Sequence, residues 1–105
     1  MSEQAGDTSV YLHVTVLLKA DGLETFVQHM AELLPHFERV GWRLVTACGN
    51  VTGRQRTIVH VWRIPSADAV LRLERELGAL QSFQAINACI EDEWMEIMTA
   101  LPYGK

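Results

Sequence analysis

Residues 57–76 read TIVHVWRIPSADAVLRLERE and decide the fold. Their first half is rich in β-branched and aromatic side chains, the composition of a buried strand. Pro65 cannot sit in mid-strand, so the strand stops there. Ser66 suits a helix cap, and Val70, Leu73, Leu77 and Leu80 follow as a buried helical stripe. A strand therefore feeds an amphipathic helix. His60 and Trp62 stand two residues apart on that strand, and so on one face. Neither is an ordinary core residue.

Toward the N-terminus, the strand extends back to residue 56, and residues 50–55, with Gly53, read as a hairpin loop. Residues 42–49, WRLVTACG, are a second strand, and Gly41 marks the turn before it. Asp21 is expected to begin a helix with Glu24 as capping-box partner. Leu23, Phe26, Val27, Met30, Leu33, Leu34 and Phe37 form its stripe, and Pro35 is expected to end or bend it. Residues 10–19, VYLHVTVLLK, are the first strand. Val10, Leu12, Val14, Val16 and Leu18 make a wholly apolar face, while the other face is mixed. Residues 1–9 read as a disordered tail and 10–105 as one domain.

Toward the C-terminus, Gly78 should break the second helix. Residues 80–90 read as a short helix with Phe83, Ile86 and Ile90 inward, and 91–93 as an acidic turn. Residues 94–101, WMEIMTAL, fit a strand or a helix. A strand is preferred because the first strand needs an outer partner. The order is β-α-β-β-α-(α)-β, a ferredoxin-like α+β arrangement with a four-stranded antiparallel sheet and helices on one face.

Composition narrows the function. The 105 residues are 49% hydrophobic and carry a formal net charge of −4. Only Arg54 and Arg56 cluster, which argues against nucleic-acid binding. Two cysteines, Cys48 and Cys89, without a CxxC pair, are expected to be buried free thiols rather than a disulfide or zinc framework. No signal-peptide pattern and no apolar run long enough for a membrane span is present, so a cytoplasmic protein is the expectation. No GxGxxG or P-loop holds a nucleotide. No cofactor is expected.

Helices on one side leave the other sheet face to be covered, and that face is not polar enough to be wet. A homodimer with sheets packed face to face is the economical answer. Here residues 57–68, TIVHVWRIPSAD, resemble the dimeric α+β barrel superfamily, and within it the NIPSNAP-like proteins. They match its apolar-apolar-His-apolar-Trp run closing the third strand, and Gly53 matches a glycine usual in the preceding hairpin. The resemblance implies two protomers forming a barrel, with a cavity in each between sheet and helices. It also implies a range of activities: cofactor-independent monooxygenases, haem-degrading enzymes, isomerases, cyclases, and proteins of no known activity. Haem-degrading relatives ligate iron through a histidine on the second helix, where this chain has none.

The candidate site follows. Tyr11, His13 and Thr15 are expected to share the face of His60 and Trp62, with Trp42, Leu44, Thr46 and Cys48 continuing it on the second strand. His13 and His60 are then catalytic acid/base candidates. Tyr11 and Thr15 would bind substrate, and Trp42 and Trp62 would wall a flat ring. A strand histidine is equally at home as hydrogen-bonded core, so the pocket rests on these groups occurring together. A metal between the two histidines lacks a third ligand. The implied ligand is a small hydrophobic or aromatic, polyketide-like compound undergoing oxygenation, isomerisation or cyclisation. The alternative is a non-catalytic ligand-binding or assembly homodimer.

Overall fold

The computed structural model describes residues 9–104. The expected tail, residues 1–9, lies outside them except for Ser9. The elements are β1 (Val10–Leu18), α1 (Leu23–Arg39), β2 (Arg43–Gly49), β3 (Thr57–Ile64), α2 (Ala69–Leu77), α3 (Gln81–Ala88) and β4 (Ile90–Thr99). The sheet runs β2-β3-β1-β4 and every neighbouring pair is antiparallel. This is the expected ferredoxin-like arrangement.

Register fixes which side chains meet the helices. Leu12 lies opposite Trp62, Val14 opposite His60 and Val16 opposite Ile58. Leu12, Val14, Val16 and Leu18 are buried with Phe26, Met30, Leu33 and Phe37 of α1, which recur every three or four residues. Phe83 and Ile86 of α3 and Leu77 of α2 complete the layer. Leu12, Leu18 and Leu33 are fully enclosed, each contributing about 1.5–3 kcal/mol of burial.

Several boundaries differ from expectation for physical reasons. Asp21 does not cap α1. It takes the left-handed conformation, φ 65°, and Gly22 is the cap residue, because a short polar side chain tolerates that region. Pro35 does not end α1, which runs on to Arg39. Proline removes one donor, to the carbonyl of Ala31, and both residues are exposed on the solvent side. Ser66 does not cap α2. Its carbonyl accepts the Ala69 N–H and its hydroxyl donates to Asp68 at 2.5 Å, placing the start after Asp68. Gly78 ends α2 as expected.

Residues 91–93 are not a turn. They belong to β4, with Asp92 opposite Leu17 and Glu93 opposite Val16. An edge strand leaves Glu91 and Asp92 in water, and charge there discourages pairing with other chains. Gly53 adopts φ 77° in the expected hairpin, and Gly41, at φ 90°, lies where a Cβ would stand 2.8 Å from Pro65 Cγ. Cys89 is buried, but Cys48 is exposed and both are free.

Candidate functional site

The sheet splits the expected set of site residues in two. His60 and Trp62 face the helices, and Trp42, just before β2, joins them. Tyr11, His13 and Thr15 lie on the opposite, outer face, where Tyr11 is opposite Arg63, His13 opposite Val61 and Thr15 opposite Val59. The expected shared face is thus corrected. Antiparallel partners point the same way, so pairing His60 with Val14 sends the odd-numbered residues of β1 outward.

β2 divides as well. Leu44 pairs with Trp62, Thr46 with Val61 and Ala47 with His60, because the register shifts between Leu44 and Thr46. This β-bulge adds a residue and reverses the alternation. Leu44 and Ala47 therefore share the His60 face, while Thr46 and Cys48 share the outer one, their side chains 3.7 Å apart.

Trp42, Trp62 and Phe37 form an aromatic group at one end of the helical side. Phe37 and Trp62 centroids are 4.5 Å apart, and Trp42 meets Trp62 edge-on at 5.6 Å. The Trp42 Nε1–H is buried and has no partner among the described residues. His60 stands next along the strand. Its ring is edge-on to Trp62 at 5.7 Å and 5.9 Å from Phe26. It is 8% exposed, the single buried polar or charged side chain among the described residues. Neither ring nitrogen has a protein hydrogen-bond partner among the described residues. Burial pushes its pKa below the ordinary histidine value, so the ring is held neutral.

Between sheet and helices lies a chamber of about 210 Å³. Leu12, Val14, His60, Trp62 and Met95 form its floor. Phe26, Met30, Phe37, Val70, Leu73, Phe83 and Ile86 roof it. Glu74, Asn87 and Glu93 supply polar groups at its margin. Desolvation pushes the Glu93 carboxyl above the usual carboxylate range. A more open polar hollow of about 610 Å³ abuts Trp42, lined by Glu38, Arg43, Arg63 and Pro65. The chamber is the stronger candidate because it joins apolar walls to a neutral imidazole.

Glu93, Glu74 and Asn87 were not singled out from sequence. The signal was present for Glu93, since the alternation of Met95 and Ile97 carried back two residues reaches it. Asn87 follows Phe83 by four residues and Glu74 follows Val70 by four, so both fall beside buried stripes.

On the outer face, His13 Nδ1 is 3.6 Å from Glu96, directly across on β4. Trp94 and Met98 also face outward there and are exposed. No group of three metal-ligating side chains occurs among the described residues, and no helix among them is long and apolar enough to cross a membrane.

No protein-family model matches the chain, and no curated protein is similar to it in sequence. Solved structures are similar in fold. A NIPSNAP family protein of unknown function from Agrobacterium tumefaciens superimposes with a TM-score of 0.74 at 22% identity, covering 93% of each chain. A candidate antibiotic biosynthesis monooxygenase from Bordetella bronchiseptica gives 0.76 at 11% identity, covering 89% of this chain and 97% of the other. A cofactor-independent oxygenase from Streptomyces nogalater gives 0.63 at 18%, covering 88% and 92%. The chain thus has the ferredoxin-like fold of NIPSNAP proteins and monooxygenase-like proteins, the fold that the residue 57–68 stretch suggested.

Proposed function

We propose that the protein is a homodimeric small-molecule enzyme that binds an aromatic or polyketide-like hydroxy compound in the chamber and acts on it without metal or nucleotide. One observation carries this reading: a neutral imidazole, its nitrogens without a protein partner among the described residues, stands at the wall of a partly open apolar chamber. An imidazole so placed accepts a proton from a phenol or enol, since both its charge state and its free lone pair suit a base. The resulting electron-rich anion is the species that takes up oxygen, shifts a double bond or closes a ring. Trp62 and Phe37 offer flat walls to the substrate ring. The Trp42 N–H, buried and unsatisfied, suits a substrate oxygen.

His13, Tyr11 and Thr15 have a different place in this proposal. They belong to the outer face, which a second protomer would cover. That face carries Val59, Val61, Trp94 and Met98, and a dimer would remove this apolar surface from water. A reducing compartment such as the cytosol suits the exposed free thiol of Cys48.

A second reading is a homodimer that binds a ligand without reacting. One observation favours it: no carboxylate or carbonyl holds the His60 ring among the described residues, whereas catalytic imidazoles are commonly oriented by such a partner. A screen of hydroxylated aromatics, 1-naphthol among them, for oxygen uptake and product formation separates the two. Under the enzyme reading His60→Gln cuts turnover at least a hundredfold while 1-naphthol still binds. Binding without turnover in the unaltered protein contradicts that reading.

A further inference from the structure

A second cavity, about 390 Å³, lies between α1 and β2 on the far side of His60 from the chamber. Its walls are almost wholly apolar. Leu23, Val27 and Leu34 line it from α1, and Ala47, Gly49 and Ile58 from the sheet. Phe26, Met30 and His60 line both this groove and the chamber. The two spaces therefore adjoin at the imidazole.

The groove has a cause in the sequence. The β2 bulge brings Ala47 opposite His60, and Gly49 lies opposite Ile58. Beyond Leu44, the helix-facing positions of β2 are thus alanine and glycine, so α1 is not filled against this end of the strand. Leu23 and Val27 are consequently about half exposed, at 48% and 57%. Size points the same way. A cavity of about 150 Å³ lined by aliphatic and aromatic groups holds benzene, so the chamber takes a ring of that order. Drug-sized ligands need about 300–1,000 Å³, which the chamber reaches only together with the groove.

We propose that the ligand is bipartite, resting on the chamber reading above: its ring occupies the chamber, its hydroxyl or carbonyl meets His60 at the junction, and an uncharged alkyl chain lies along the α1–β2 groove. Among the described residues no charged side chain lines the groove, which selects an aliphatic chain over an ionic group. The shared lining of Phe26, Met30 and His60 favours one ligand over two.

The test is a titration of the full chain with phenol, 2-ethylphenol, 2-butylphenol and 2-hexylphenol, whose chains leave the ring beside the hydroxyl, read by tryptophan fluorescence and calorimetry. Affinity should rise roughly fourfold with each methylene. Ala47→Phe fills the groove and should flatten that rise. The slope in the unaltered protein is itself decisive should the variant fail to fold. Phenol binding with no dependence on chain length overturns the proposal and leaves the chamber reading standing. No binding of any phenol overturns both. An Ala47→Phe protein that keeps the slope but dissociates in sedimentation shows the groove to be a subunit contact, and also overturns the proposal.

Discussion

His60 is the residue on which the proposed function turns, and its burial has a consequence in solution. Its folded pKa lies below the ordinary histidine value of about 6.5. Below that pH the unfolded chain takes up a proton that the folded chain resists. Stability is then fully present above about pH 6.5, falls as pH drops, and levels off below the folded value. In denaturant titrations at pH 7.5 and pH 5, the unaltered protein should lose more stability than His60→Gln. Equal losses would show that the ring is solvated. Trp62, 3% exposed and stacked on Phe37, is read by truncation. Trp62→Ala should cost about 3–5 kcal/mol, measured by chemical denaturation. The pairing of His60 with Trp62 on one face was legible in the chain, because alternation is a local property. Which residues of β1 join them was not, because register between strands is set by partners distant in sequence.

At the scale of elements, β2 shows why alternation alone misleads. Trp42 and Leu44 were correctly grouped with Trp62, but one extra residue at the bulge turned Thr46 and Cys48 outward. No residue in 43–48 marks that bulge as glycine would. α1 makes the opposite point. Its stripe from Phe26 to Phe37 was legible, yet Pro35 looked like a stop because its solvent-facing position could not be known. Pro35→Ala restores one backbone bond to the Ala31 carbonyl and should stabilise the protein by about 1–3 kcal/mol, read as a higher denaturation midpoint. β4 was readable as a strand from residue 94 onward. Its acidic start was not, since three consecutive acids resemble a loop until an edge position gives Glu91 and Asp92 water and turns Glu93 to the chamber margin.

At the scale of the molecule, the unanswered surface is the outer sheet face, with Val59, Val61, Trp94 and Met98 around the His13–Glu96 pair. The proposed homodimer covers it. Sedimentation should find twice the chain mass, and Val61→Arg, which forces a charge into the middle of that face, should shift it to monomer. A monomer in the unaltered protein removes the dimer from the account. The fold itself was legible, because element order and the apolar face of β1 fix a ferredoxin-like sheet. The site was half legible, because two histidines on adjacent strands can stand back to back.

The central claim is that a substrate ring enters the chamber and meets His60. Imidazole NMR of the four histidines during titration with 1-naphthol tests it most directly. The account predicts that the His60 resonances shift with saturation while those of His29 and His36 stay fixed. Saturable binding that moves His13 and leaves His60 unchanged would place the ligand on the outer face and contradict it.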